Sequence, residues 1–193
     1  DAWYVEHLRI MLTVPGIAGS VALAFAWQPT AENNPAAPLQ ELQRLMREAE
    51  AVIAQGQAEQ REPWVIADGP LVHRRSSPAR VLGYVKRLQR AYLPSGPASL
   101  LPALPVGQRT PVFLVRDPAG RFDRYSWYVR LGVAPPIAHQ LAGLTRVEIS
   151  TGAGLELARE AADLSARLLP EFASTPERDP RAPQNLLPIG ALE

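Results

Sequence analysis

The chain contains no cysteine and only three histidines, His7, His73 and His139, scattered through 193 residues. Disulfides, thiolate zinc sites and cysteine nucleophiles are therefore excluded, and a histidine-rich metal centre is disfavoured. Any bound metal would rest mainly on carboxylates, which suit Mg²⁺ or Mn²⁺. No apolar run approaches the ~20 residues that span a bilayer, and no basic leader precedes an apolar core, so the expected location is cytoplasmic. Three motifs are missing as well. Without Gly-x-x-x-x-Gly-Lys there is no P-loop ATPase, and without Gly-x-Gly-x-x-Gly after a strand a dinucleotide fold has no support. Without Gly-x-Ser-x-Gly, and with no suitable histidine, a serine triad has none either.

What is present reads as globular: 47% apolar and 20% charged residues, with a net charge of +1. The length suits one domain with one good-sized core. The near-neutral total hides a local imbalance, since Arg74 to Arg90 carries six Arg or Lys and no acid. Such a stretch can bind phosphate even on a neutral molecule. Proline is abundant at 20 residues, against a usual share of ~5%, and gathers in loops without forming repeats. The chain opens at Asp1 without Met and ends at Glu193 in mid-pattern, so it is expected to be part of a longer protein.

The most informative stretch is Trp64-Val65-Ile66-Ala67-Asp68-Gly69-Pro70-Leu71-Val72. A strand-forming run meets an acid, and Gly-Pro ends the strand at once. Asp68 is thus expected at the tip of a central strand. Two readings stand beside each other: an Asx-type turn in which the acid bonds its own backbone, and a ligand for a divalent cation at a cleft.

Around it, residues 8–14 and 20–27 read as two strands joined by a short loop. Residues 38–55 read as a helix with Leu42, Leu45, Met46, Ala49, Val52 and Ile53 on one face, stopped by Gly56. Glu48 and Glu50 lie on opposite shoulders of that stripe, so only one of them can share an ion with Asp68. Ser77-Pro78 resembles a helix start, predicting a helix to about Tyr92 that buries Val81, Val85, Leu88 and Tyr92 and carries Arg80, Lys86, Arg87 and Arg90 on another side. That basic side is either merely solvated or a phosphate track.

Residues 94–107 form an uncharged, proline-bearing loop suited to a cleft wall or partner surface. Three strands follow, at 110–116, 124–131 and 146–150, the first two closed into a hairpin by Asp117-Pro118-Ala119-Gly120. Alternation places Tyr125, Trp127 and Val129 on one face and Ser126 and Tyr128 on the other. Packing in the core is the plainer role for these aromatics, base stacking the sharper one. Glu148, between Val147 and Ile149, is a second-line ligand candidate, against the plainer reading of an exposed edge position. A helix over 155–169, with Leu155, Ala158, Ala162, Leu164, Leu168 and Leu169 mostly on one side, precedes a proline-rich tail from Pro170.

An acid at a strand end, helix acids upstream and cations downstream are the parts from which metal-dependent nucleases are built. Six short matches make the same point. Asp68-Gly69-Pro70-Leu71, Gly83-Tyr84-Val85-Lys86-Arg87, Gly107-x-Arg109-Thr110, Arg124-Tyr125-Ser126-Trp127-Tyr128-Val129-Arg130-Leu131, Arg146-Val147-Glu148 and Ala182-Pro183-Gln184-Asn185-Leu186 resemble, in this order, the NurA-type DNA repair nucleases over about residues 40 to 193.

The resemblance implies a single NurA-like domain over 1–193 with an α/β, ribonuclease H-like mixed sheet flanked by helices. It implies Mn²⁺-dependent hydrolysis of DNA, as 5'-3' exonuclease and single-strand endonuclease. It also implies a homodimer docked on a hexameric HerA-type ATPase in double-strand-break end resection. By the same resemblance Asp68 matches a metal aspartate, shared with Glu50 or, in reserve, Glu48, and Lys86, with Arg87, Arg90 and Arg80 nearby, would contact DNA. The family's first acidic motif, Asp-Gly-Ser, is not found; Asp1 of Asp1-Ala2-Trp3 is the remnant available as a further metal ligand. The family's C-terminal His is missing too, where Pro188 to Glu193 would correspond. These departures leave a rival reading, a catalytically silent relative that docks on the motor or holds DNA. A third is a plain α/β binding module.

Overall fold

The computed structural model describes residues 8–14, 17–23, 43–45, 47–48, 51–54, 56, 64–71, 80–88, 91–118, 122–133, 141–174 and 186. Its centre is a five-stranded mixed sheet in the order β3-β4-β7-β6-β5, formed by β3 (Val65–Asp68), β4 (Val81–Val85), β5 (Phe113–Val115), β6 (Arg124–Arg130) and β7 (Leu144–Ser150). β3 and β4 are parallel, and every other neighbouring pair is antiparallel. A separate hairpin pairs β1 (Leu8–Val14) with β2 (Ile17–Leu23), from Leu8↔Leu23 to Val14↔Ile17. The second strand thus begins three residues earlier than its apolar run predicts. Described residues 43–45, 47–48, 51–54 and 56 are helical and are called α1 here. Gly56, the expected stop, is itself helical, and the residues after it lie outside the described ones. The short helix α2 (Ser95–Ser99) and the long α3 (Leu155–Leu168) complete the set.

The largest departure from the sequence pattern is β4. Residues 81–85 are not the middle of a basic amphipathic helix but a strand second from the sheet edge. Leu82 and Tyr84 pack toward α3, while Val81 packs with Ala54 of α1 and with Leu71. A strand covered on both faces shows no apolar–polar alternation, and over so few residues its pattern is indistinguishable from that of a buried helix. Arg80 and Lys86 consequently sit just beyond opposite ends of one strand. β3 is also an edge strand of this sheet, not a central one.

The antiparallel half follows its alternation closely. Trp127, Val129, Val147 and Ile149 line one face against α3, and Ser126, Tyr128, Arg146 and Glu148 line the other. α3 lies on the sheet through Ala158, Ala161, Ala162, Ser165 and Ala166, while Leu155 and Leu168 are exposed. Small side chains let the helix backbone come close enough for the Trp127 indole N–H to reach Ser165 Oγ at 2.8 Å. Of the leucines expected on the stripe, Leu155 and Leu168 flank it instead, while Leu169 joins the core. On the other face, Tyr128 and Leu144 pack with Leu101 and Leu104 of the uncharged loop and with Leu93 just before it. Arg130 pins that loop by donating to the carbonyls of Leu101, Pro102 and Leu104, and to that of Ala142.

Candidate functional site at the tip of strand β3

Asp68 ends β3, as its sequence context predicts, because Gly69 adopts φ 85° and turns the chain away. Only glycine takes that conformation without strain. A Cβ there would also lie 2.5 Å from Arg47 Nη1, the same guanidinium that donates to the Asp68 carbonyl at 2.6 Å. Gly69 N–H donates to Tyr84 O at 2.8 Å, holding the turn on the neighbouring strand. The Asp68 side chain stays 42% exposed, with Lys86 Nζ 3.1 Å from Oδ2. In the parallel register Asp68 lies beside Tyr84, a fully buried phenol hydrogen-bonded to Thr145 and pushed well above its ordinary range, chiefly by burial. The tip therefore presents one open carboxylate and one ammonium over a neutral, protonated tyrosine.

On the opposite face of the same sheet lies a second polar cluster. Glu148 is 0% exposed, in β7 between β4 and β6, so it is neither at an edge nor in solvent. Oε2 faces Arg146 Nη1 and, at 3.3 Å, Arg124 Nε. Oε1 accepts the Leu71 backbone N–H at 2.7 Å. Arg146 also donates to Ser126 Oγ at 3.2 Å and lies over the Tyr92 ring, 4.6 Å from its centroid. Buried charge is tolerated only when paired and hydrogen-bonded, and here one carboxylate is hydrogen-bonded to Arg146 and ion-paired with Arg124, whose Nε makes no hydrogen bond among the described residues. With both oxygens so engaged, Glu148 is not placed as a metal ligand.

The family model described as the NurA domain matches residues 6–187, spanning β1 through Leu186. The chain belongs to the NurA family. Among curated proteins none matches it. Membership brings a nuclease-type function in DNA repair, with DNA as the interaction partner. Among the described residues no helix is long and apolar enough to cross a membrane.

The remaining predicted site residues of this NurA chain fall unevenly. Arg87 is exposed one position past Lys86. Arg80 lies at the far end of β4, its guanidinium 5.3 Å from the Trp64 ring centroid. Glu48 is exposed on α1 and paired with Arg44 one turn away. Asp1, Glu50 and Arg90 lie outside the described residues. Among the described residues no three His, Cys, Asp or Glu side chains gather as a metal cluster, so the described part of the tip contributes Asp68 alone. The sequence reading missed the Arg124–Arg146–Glu148–Ser126 cluster. Its trace is present as period-two polar positions, 124 and 126 on one strand and 146 and 148 on the next, which become neighbours through the Ser126↔Glu148 pairing.

Proposed function

We propose that this NurA chain is a divalent-metal-dependent DNA nuclease on a ribonuclease H-like sheet, cleaving as a 5'-3' exonuclease and single-strand endonuclease in DNA end resection. In this reading it works as a homodimer with a hexameric HerA-type ATPase. The observation that carries the proposal is Asp68, an exposed carboxylate on a rigid strand tip with a lysine ammonium beside it. Mn²⁺ or Mg²⁺ suits that donor chemistry, which is oxygen without thiolate. Asp68 would hold the ion with Glu50 and Asp1 as the further carboxylates. Such an ion, when bound, acidifies a water and offsets the charge that builds on the phosphodiester.

The protein's own part is positional. Arg47 and the Tyr84 carbonyl fix the turn on either side of the Asp68 carboxylate. Lys86, with Arg87 beyond it, offers positive charge to the DNA backbone where the carboxylate points. Tyr84 keeps its proton and adds no competing negative charge beneath the tip.

Asp68→Asn keeps the shape and removes the charge, so Mn²⁺-dependent cleavage of linear DNA should fall at least about 100-fold with an unchanged melting temperature. Wild-type cleavage by that variant refutes the assignment. A second reading draws on the described residues alone: one acid at the tip, already paired with Lys86, suits a silent subunit that holds DNA for the motor. That reading predicts DNA binding and stimulation of the ATPase with no metal-dependent cleavage by the wild-type chain.

A further inference from the structure

We infer that Glu148 is a positioning residue for the Asp68 turn, acting from the opposite face of the sheet through the Leu71 amide. The inference rests on the reading of Asp68 as a metal ligand and goes beyond it by naming what holds that ligand in place.

Glu148 occupies the middle of the sheet, where an apolar side chain would normally be the less costly choice. Two arginines immobilise the carboxylate: Arg146, itself bonded to Ser126 Oγ, and Arg124. This leaves Oε1 facing Leu71 N–H at 2.7 Å, across 77 positions of sequence. Gly83 makes the approach possible. A Cβ at that position would stand 2.8 Å from Leu71 Cγ, 3.0 Å from Glu148 Cγ and 3.0 Å from the Gly69 carbonyl. The turn therefore lies directly on β4, with Glu148 reaching past the bare glycine to meet it.

Both backbone donors of the turn are accounted for. Pro70 has no N–H, so residues 69–71 own two donors. One goes from Gly69 to Tyr84 O at 2.8 Å, the other from Leu71 to Glu148. On the upstream side the Asp68 carbonyl accepts from Arg47. Asp68 is thus bracketed by three fixed points, and Glu148 is the only one of them that is a buried charged side chain. Metal sites need their ligands held to within about 0.5 Å, which exposed turns do not achieve unaided.

The test uses the full chain with Mn²⁺ alone as the calorimetric probe, together with DNA cleavage kinetics. Glu148→Gln should weaken Mn²⁺ binding about 10- to 100-fold, the usual range for a lost supporting contact, and lower kcat while leaving KM for DNA near wild type. An amide-to-ester replacement at Leu71 deletes only the donor, keeps the charged cluster intact, and should weaken Mn²⁺ binding in the same direction. Ser165→Ala disturbs the buried Trp127 contact on the α3 face without touching the turn or the Glu148 cluster, and should leave Mn²⁺ affinity unchanged. Wild-type Mn²⁺ affinity in the ester variant overturns the inference, as does an equal loss in Ser165→Ala. Asp68→Asn in the same titration separates the two claims. Loss there with retention in Glu148→Gln overturns the positioning role alone, whereas retention in Asp68→Asn removes the metal reading on which it rests.

Discussion

Burial raises the phenols of both Tyr84 and Tyr128 above the ordinary value of 10.0. For Tyr84 desolvation outweighs the Thr145 hydrogen bond; for Tyr128 it outweighs the bond accepted from Tyr92 N–H. Below pH about 10 both states of the chain keep these protons and the stability they represent is intact. Above it the unfolded chain releases them while the folded chain does not, so stability falls as pH rises. In a phenolate absorbance titration, Tyr84 and Tyr128 should titrate late and together with alkaline unfolding. Tyr84→Phe combined with Tyr128→Phe should remove the late step. At this same scale the two acids of the site differ in how readable they are. Asp68 announces itself because everything that stops its strand, Gly69 and Pro70, is adjacent in the chain. Glu148 does not, because Leu71, Arg124 and Arg146, which define its surroundings, come from three separate segments.

Among the elements, α3 illustrates how helical spacing finds a helix and only part of its buried face: Ala158 and Ala162 are buried as the stripe requires, while Leu155 and Leu168 are exposed. The apolar spacing over 155–169 is helical, and the helix is there. Its leucines, however, outrank its alanines only in hydrophobicity, and close packing over Trp127 selects size. The decisive contact is the indole N–H to Ser165 Oγ, which in turn donates its own hydrogen bond to Ala162 O. Ser165→Ala leaves the Trp127 N–H buried and unpaired, at a cost of about 1–3 kcal/mol. Chemical denaturation followed by tryptophan fluorescence should show the midpoint falling with an unchanged slope. β4 is the opposite case. Its five residues carry no period of their own, and the Ser77-Pro78 signal upstream argues for a helix that the sheet does not contain at 81–85. The hairpin of β5 and β6 raised no such difficulty, since its turn residues and its alternation agree.

Across the whole molecule a net charge of +1 says little, and the placement of cations says more. Lys86 lies beside Asp68 and Arg87 follows it, exposed, whereas Arg80 stands at the other end of β4 against Trp64. Neutralising Lys86 and Arg87 to Gln should weaken DNA binding alike on all sequences and reduce the slope of log affinity against log salt by roughly one to two. Arg80→Gln should change that slope less, and fluorescence anisotropy at several salt concentrations reads both. The local order of residues was enough to specify the Asp68 turn, the β5–β6 hairpin and the span of α3, because each depends on neighbours a few positions away. Three things waited on the assembled sheet: that 81–85 is a strand, that β3 lies at an edge, and that Glu148 is buried beneath the Asp68 turn. Each depends on which distant segment covers a given face, and burial on both sides erases the periodicity from which a face would be read.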